Sequence, residues 1–223
     1  MAISGTPHQG NRFTGAELIV HLLERQGITT VAGIPGGAAL PLYDALSQST
    51  RIHHVLARHE QGAGFMAQGM ARANGKAAVC IASSGPGATN LVTAIADAKL
   101  DSIPLVCITG QVPSSMIGTD AFQEVDTYGI SIPITKHNHL VRDIRELPQV
   151  ICDAFRIAES GRPGPVWIDV PKDVQTAVIS LDELPPIAVP DAAPTFEATA
   201  VAQAAAMINQ AKRPVLYLSL IHI

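Results

Sequence analysis

A short apolar run leads directly into a glycine-rich turn at residues 77–87, Ala77-Ala78-Val79-Cys80-Ile81-Ala82-Ser83-Ser84-Gly85-Pro86-Gly87. The apolar part has the length of a buried strand, and the residues after the turn, Ala88–Leu100, have the pattern of a helix. The same order occurs earlier, where a strand at Thr29–Ala32 is predicted to end in the turn Gly33-Ile34-Pro35-Gly36-Gly37. Two strand–turn–helix units of this kind predict an α/β fold with a parallel sheet flanked by helices.

Strands and helices continue to alternate on both sides of these turns. Thr14 and Glu17 have the spacing of a capping box, which predicts that a helix begins there. The other predicted helices are Leu40–Leu46, Glu60–Ala73, Leu147–Glu159 and Ala198–Gln210, and the other predicted strands are Ile52–Leu56, Pro104–Thr109, Val166–Val170 and Arg213–Leu218. Ligands bind such sheets outside the C-terminal ends of the strands, where both glycine turns and Glu60 fall.

The chain divides into a main domain, a linker and the beginning of a second domain. The main domain is predicted over residues 13–178, and the linker over residues 179–197, which are rich in Pro, Ala and acidic residues. Residues 198–218 restart the helix–strand pattern, and the anomalous tail 219–223 departs from it. We expect the reading frame to be cut short in this tail, because the strand predicted just before it, Arg213–Leu218, has nothing to pair with.

Composition excludes several classes of protein. Hydrophobic residues make up 47% of the chain and charged residues 15%, which indicates a well-buried core. The net charge of -4 gives no basic surface for nucleic acid. No apolar stretch approaches the ~18 residues of a membrane span, and Met1–Arg12 lacks the apolar region of a secretory signal. We therefore expect neither nucleic acid nor membrane as a partner.

The cysteines indicate a reducing compartment. Cys80, Cys107 and Cys152 are few, odd in number and set in apolar runs. Buried reduced thiols are therefore predicted rather than a disulfide framework. A cytoplasmic location is expected.

One carboxylate, Glu60, stands at the start of a segment of small and apolar residues, Arg58-His59-Glu60-Gln61-Gly62-Ala63-Gly64-Phe65-Met66-Ala67-Gln68-Gly69. A carboxylate in such surroundings loses hydration, which favours its protonated form and suits it to general acid–base chemistry. The small residues allow a flat ring or another subunit to approach the backbone. Taken alone, Glu60 is also consistent with an acid that simply stabilises a helix N-terminus.

Several common motifs do not fit. A zinc-protease H-E-x-x-H motif that began at His59 would need histidine where Ala63 stands. The dinucleotide fingerprint that begins at Gly85 has Asn90 in place of its third glycine, so that match is weak. Gly75-Lys76 lacks P-loop spacing, and the serines after Ala82 lack the G-x-S-x-G elbow.

The motifs that remain resemble the thiamine-diphosphate enzymes over nearly the whole chain, from Phe13 to Leu218. The resemblance is carried, in order, by Gly33–Gly37, His59–Gly64, Ser84–Asn90, Gly110–Val112 and Gly161–Pro165. A narrower motif, Gly118-Thr119-Asp120-Ala121-Phe122-Gln123-Glu124, is similar to the catalytic large subunits of acetolactate synthase (acetohydroxyacid synthase), in their bacterial isozyme I form.

The resemblance implies roles for residues around the cofactor. Glu60 would be the catalytic acid–base group that exchanges a proton with the cofactor's aminopyrimidine ring. Pro86 and Asn90 would flank that ring, and Gly36 and Gly37 would line the space over the reactive carbon.

Further roles concern the substrate and a flavin. Phe122 and Gln123 would approach the substrate, Gln123 also touching the cofactor, and Lys172 would lie at the entrance of the channel. Arg162 resembles a residue that contacts the flavin which this family retains without using its redox chemistry. The alternatives are core packing for Phe122, a solvated loop lysine for Lys172, and a turn residue paired with an acid for Arg162.

The family also implies a reaction and partners. The reaction is decarboxylation of pyruvate and condensation with a second 2-keto acid to acetolactate or acetohydroxybutyrate, in branched-chain amino acid biosynthesis. The implied cofactors are thiamine diphosphate, FAD and Mg. The Mg and diphosphate ligands belong to a separate C-terminal domain with a Gly-Asp-Gly…Asn motif that this sequence lacks, so no metal ligands are expected here and the chain is expected to be inactive alone. The implied partners are further large subunits, in a homodimer or higher oligomer, and a regulatory small subunit. The alternatives are another thiamine-diphosphate carboligase, a pyruvate oxidase, or a non-catalytic α/β dimerisation module.

Overall fold

The computed structural model describes residues 11–217 and is built around one parallel sheet. The strands of this sheet are β2 (Thr30–Gly33), β3 (His53–Leu56), β4 (Ala78–Ala82), β5 (Leu105–Gln111), β6 (His137–Leu140) and β7 (Pro165–Pro171). The six strands lie in the spatial order β3-β2-β4-β5-β7-β6, and every neighbouring pair is parallel. This confirms the predicted α/β fold.

Helices cover both faces of the sheet. They are α1 (Gly15–Arg25), α2 (Leu40–Gln48), α3 (Glu60–Asn74), α4 (Pro86–Thr89), α5 (Val92–Leu100), α6 (Thr127–Ser131), α7 (Leu147–Glu159) and α8 (Lys172–Thr176). A further helix, α9 (Ala198–Gln210), follows the linker and has only exposed residues. The predicted capping box at the start of α1 is present, since Thr14 and Glu17 each accept a backbone N–H from the other. No helix within residues 11–217 is long and apolar enough to cross a membrane.

The core has two layers because successive residues of a strand point to opposite faces of the sheet. Val79 and Ile81 of β4 belong to the cluster formed with α1, α2 and α7. Cys80 and Ala82, the residues between and after them, belong to the cluster formed with α3 and α5. All residues of β4 and β5 are buried, so these central strands give the carboxyl edge of the sheet a rigid base.

A small second sheet joins the two ends of the main domain, and neither of its strands was predicted. Strand β1 (Arg12–Thr14) pairs antiparallel with β8 (Val178–Ser180). The first residues of the predicted linker 179–197 therefore belong to a strand, while residues 181–197 contain no helix or strand. The linker packs on the domain at Ala188, whose backbone N–H and C=O pair with the Gln26 side-chain amide, both at 3.0 Å.

The structure corrects other expectations. The predicted helix Ala88–Leu100 is divided into α4 and α5, because the Leu91 N–H bonds to the carbonyl of Ala88, three residues back. Helix α9 has its predicted bounds, but the strand predicted from Arg213 is absent from residues 211–217, and residues 218–223 lie outside the described part. Cys152 is only partly buried, unlike Cys80 and Cys107.

Candidate functional site

The predicted catalytic carboxylate lies at the carboxyl edge of the sheet, at the first residue of α3. His59 caps this helix, since its Nδ1 accepts the backbone N–H of Gln61 at 3.1 Å. Glu60 is therefore held where the unpaired N–H groups of the helix favour negative charge. The helix ends at Gly75, which has the left-handed conformation (φ +67°) that is common at helix C-termini.

Asn90 holds the Glu60 carboxylate directly. The Asn90 Nδ2 donates a hydrogen bond to Glu60 Oε2 at 2.9 Å. Asn90 directly follows α4, at the point where the predicted helix divides into α4 and α5. Among residues 11–217, no group donates to the second oxygen, Oε1. This oxygen lies 3.6 Å from the ideal position of a Cβ at Gly87, so the absence of a side chain there leaves room beside it.

The glycine turn after β4 is in contact with the loop that carries the predicted substrate residues. Gly85 has φ +54° and ψ -118°, a conformation open essentially to glycine alone. An added Cβ at Gly85 would lie 2.4 Å from the carbonyl oxygen of Gln123. Gln123 itself has φ +57°. The structure thus brings Gln123 against the turn that begins the short helix of Pro86 and Asn90.

The turn after β2 is held against the same edge by two polar side chains that sequence reasoning missed. An added Cβ at Gly36 would lie 2.5 Å from the Ser83 Cβ, and the Ser83 Oγ accepts the backbone N–H of Ala38 at 3.3 Å. The Nε2 of Gln175 donates to the carbonyls of Ala38 and Val170, both at 2.8 Å. Gly37, in contrast, is exposed and faces open space. A polar residue at the end of a buried strand was the available signal for Ser83.

The remaining substrate and cofactor candidates at this edge are accessible. Phe122 is 86% exposed, which excludes ordinary core packing for it within this chain. Pro86 is exposed at the first position of α4. Lys172 is partly exposed at the first position of α8 and forms none of the ion pairs found among the described residues.

Arg162 lies apart from this group, because it precedes β7 and so belongs to the amino edge of the sheet. Its Nε donates to Ser102 Oγ at 2.8 Å, and its guanidinium also donates to the carbonyl of Leu100 at 3.1 Å. It therefore holds the end of α5, and the alternative role, a turn residue paired with an acid, is not observed among the described residues. β7 separates Arg162 from the Glu60 edge by a strand length, about 20 Å.

Tyr43 is a neighbour of the site that sequence reasoning also missed. Its hydroxyl donates to the carbonyl of Ile81 at 3.1 Å, next to Gly33. Burial raises the pKa of Tyr43 far above its usual range, and the adjacent Cys80 and Glu60 raise it further. Tyr43 therefore remains a neutral hydrogen-bond donor close to the carboxyl edge of the sheet. No metal-binding group of His, Cys, Asp or Glu is present in residues 11–217.

Comparison with known proteins agrees with this geometry. Residues 13–130 match the family described as thiamine pyrophosphate enzyme, N-terminal TPP binding domain. The chain belongs to the thiamine pyrophosphate enzymes. Thiamine pyrophosphate is thiamine diphosphate, so the resemblance found in the motifs is confirmed.

The similar relatives of this thiamine pyrophosphate enzyme are acetolactate synthases. The isozyme 1 large subunit of Escherichia coli (strain K12) is 75% identical over 218 residues, which are 98% of this chain and 39% of that protein. The acetolactate synthase large subunit of Corynebacterium glutamicum is 53% identical over 97% of this chain and 35% of its own length. The isozyme 2 large subunit of Escherichia coli is 54% identical over 91% of this chain and 36% of its own length. The chain thus spans less than two fifths of the length of these relatives.

The residues at the carboxyl edge fit the pyrimidine half of thiamine diphosphate. Glu60 presents one oxygen that is fixed by Asn90 and one that accepts no hydrogen bond from residues 11–217. A ring nitrogen is a suitable partner for that second oxygen, and Gly87 leaves the adjacent space free. This arrangement suits proton exchange with a planar heterocycle.

Proposed function

We propose that the protein from which this chain derives is an acetolactate synthase, which decarboxylates pyruvate and joins the product to a second 2-keto acid. The observation that carries the proposal is the Glu60 carboxylate, fixed by Asn90 at 2.9 Å with its other oxygen open. The substrate class is supported by relatives that are acetolactate synthases and are up to 75% identical to this chain. The exposed Phe122 beside Gln123 supports a substrate channel above the glycine turn.

The residues of this chain would exchange one proton with the cofactor. Thiamine diphosphate, when bound, supplies a nucleophilic carbon and an electron sink for decarboxylation. Glu60 Oε1 would hold or accept the proton shared with the pyrimidine nitrogen. The Asn90 amide would keep the carboxylate from rotating, so that the same oxygen always faces the ring. Pro86 would pack beside that ring, and Gly36 and Gly37 would leave the reactive carbon uncovered.

The substrate would be guided by the loop above this edge. Gln123 would contact both cofactor and substrate, because its backbone already touches Gly85. Phe122 would cover the bound 2-keto acid and exclude water, which strengthens the polar contacts inside the site. Lys172, a cation on the short helix next to this edge, would attract the substrate carboxylate.

Other parts of the activity are proposed to come from outside residues 11–217. Mg and the diphosphate would be held elsewhere, because the described residues contain no ligand set for a metal. FAD would be bound in part through Arg162, at the amino edge of the sheet. The assembly would be a homodimer or higher oligomer of large subunits with a regulatory small subunit, located in the cytoplasm.

A chimera tests the proposal. Residues 1–217 would be joined to the remaining part of the Escherichia coli isozyme 1 large subunit and incubated with pyruvate, thiamine diphosphate, Mg and FAD. We expect acetolactate as the main product. Acetaldehyde, or oxidation of pyruvate with reduction of the flavin, would instead indicate another carboligase or a pyruvate oxidase. A folded chimera that binds the cofactor and turns over nothing would indicate a non-catalytic dimerisation module.

A further inference from the structure

The loop between β5 and α6 has a backbone conformation that is unfavourable without contacts to hold it. Asp120 and Gln123 have φ +54° and +57°, and Gly118 has φ +80°. Left-handed backbone is unfavourable for residues with a Cβ, and such outliers persist only where surrounding contacts impose them. Contacts must therefore fix the loop that carries Phe122 and Gln123.

One of these contacts lies inside the loop. The Glu124 carboxylate accepts the backbone N–H groups of Gly118 and Ala121, the latter at 3.1 Å. These bonds, that of Gly118 first, lower the pKa of Glu124. The loop therefore turns around a carboxylate that stays ionised at neutral pH, but nothing in this contact attaches the loop to the domain.

The first end of the loop is attached to α8. Asp173 Oδ1 accepts both the backbone N–H of Ser114, at 2.9 Å, and its hydroxyl, at 3.1 Å. Asp173 directly follows Lys172 in the sequence. This pair of hydrogen bonds thus links the start of the loop to the residue proposed to attract the substrate.

The second end of the loop is attached to β7. Asp169 is only 3% exposed and accepts hydrogen bonds from Thr109 Oγ1 at 2.7 Å and from Thr127 Oγ1, at the start of α6. Gln111 Nε2 donates both to Asp169, at 2.9 Å, and to the carbonyl of Val125, at 3.1 Å. These donors hold the buried Asp169 carboxylate in one position, because a hydrogen bond to a charged acceptor is stronger than a hydrogen bond between neutral groups.

We propose that Asp169 and Asp173, which lie on either side of Lys172, are positioning residues that fix the loop 113–126 at its two ends. Phe122, Gln123 and Lys172 then form one unit whose geometry is set before substrate arrives. The inference rests on the proposed function only for the identity of the substrate that this unit would meet.

Hydrogen exchange of the 223-residue chain tests the anchoring without cofactor or substrate. In Asp173→Asn, peptides from residues 113–127 should exchange about tenfold faster, as expected for the loss of a charge-assisted hydrogen bond. Peptides from β4 and β5 should be unchanged. Asp101→Asn, which alters an exposed carboxylate at the amino edge of the sheet, should leave the loop unchanged. Equal loop exchange in Asp173→Asn and the parent chain would overturn the proposal for Asp173.

Asp169→Asn tests the buried end of the loop. The amide can still accept from Gln111 and Thr127, and the Thr109 hydroxyl can turn to accept from it. We expect faster exchange at residues 123–131 and unchanged exchange in α1 and α3. Faster exchange everywhere would show that Asp169 supports the whole domain rather than the loop, and would overturn the positioning role.

Steady-state kinetics in the chimera test the functional consequence. Asp173→Asn should raise the KM for pyruvate about tenfold while kcat changes less than about twofold, because substrate positioning is loosened without a change at Glu60. Asp173→Glu should restore part of the loss. An unchanged KM would overturn the role in positioning. A chimera with the parent residues that makes no acetolactate would instead refute the proposed function, and the exchange result would stand independently.

Discussion

The contact between the Gln123 carbonyl and Gly85 predicts an unusually costly substitution, Gly85→Ala. The new Cβ would lie 2.4 Å from that carbonyl oxygen, where the neighbour is backbone and cannot rotate away. The backbone of Gly85, φ +54° and ψ -118°, lies outside the left-handed helical region and costs a residue with a Cβ about 1–3 kcal/mol. Forcing an extra methyl into a packed contact costs about 1–3 kcal/mol. We therefore expect the free energy of unfolding to fall by about 2–6 kcal/mol.

Two matched glycines separate these contributions. Gly27 has φ +85° with nothing within 4 Å of an added Cβ, so Gly27→Ala should show the backbone cost alone, about 1–2 kcal/mol. Gly37 has neither a positive φ nor a close neighbour, so Gly37→Ala should be neutral or stabilising by up to about 1 kcal/mol.

Urea denaturation of the 223-residue chain measures all three, followed by the fluorescence of Trp167, its single tryptophan, which is 1% exposed. With a urea dependence of about 2–3 kcal/mol/M, the midpoint of Gly85→Ala should fall by about 1–2 M. If its midpoint equalled that of Gly27→Ala, the loop would not press on the turn, and the described geometry of Gln123 would be wrong.

Further predictions concern charge, thiols and the carboxylate partner. Burial raises the pKa of Asp169 from 3.8 to about 6, with Asp126 adding to the rise. His139 and Tyr128 face the same small cavity. Because the folded state binds the proton of Asp169 more tightly than the unfolded state does, protonation of Asp169 should stabilise the folded state increasingly as pH falls from 7 to 4. The free energy of unfolding of the parent, relative to that of Asp169→Asn, should therefore rise by about 2–3 kcal/mol between pH 7 and pH 4. A difference between the two proteins that stays constant with pH in urea titrations would contradict this prediction. A thiol reagent should label the partly buried Cys152 in the native chain, and the buried Cys80 and Cys107 only after unfolding. Burial raises the pKa of both Cys152 and Cys107, so access of the reagent to the sulfur decides the order, and fast labelling of all three would refute their placement. In the chimera, Asn90→Ala should lower kcat about 10–100-fold through loss of a charge-assisted hydrogen bond, and kinetics equal to the parent's would remove Asn90 from the site.

The elements that the sequence predicted well are those whose burial follows a strong local pattern. The central strand near Ala77–Ala82 and the helix Leu147–Glu159 were found within a residue of their bounds. The apolar periodicity of each is continuous and ends at a clear signal. Helix α3 likewise begins at the predicted residue, Glu60, and ends one residue after the predicted Ala73.

The elements that were missed depend on distant contacts. Strands β1 and β8 are short, and each is defined by pairing with the other across the whole domain. The hydrogen bond from Asn90 to Glu60 joins two different helices, which no local pattern shows. The strand predicted from Arg213 is absent because within residues 11–217 nothing pairs with it.

The residues of the candidate site that could be predicted are those that lie in motifs shared with the thiamine-diphosphate enzymes. Glu60, Asn90 and the glycine turns were named from the sequence, and the structure brings them to one edge. Ser83 and Gln175 were missed because their roles are hydrogen bonds to the backbone of a remote turn. Arg162, to which the resemblance assigns a flavin contact, lies at the other edge of the sheet, and that assignment stays a prediction.

The most direct test of the central claim is hydrogen–deuterium exchange at the reactive carbon of thiamine diphosphate bound to the chimera. Glu60→Gln keeps the side-chain shape and an acceptor for Asn90, but the amide cannot exchange a proton with the pyrimidine nitrogen. Exchange should therefore slow by about 10²–10⁴-fold, the usual contribution of a general acid–base group, and acetolactate formation should fall in parallel. Glu183→Gln, an exposed carboxylate in the linker, should leave exchange unchanged. Exchange at the parent rate in Glu60→Gln would make Glu60 a structural acid and would contradict the account.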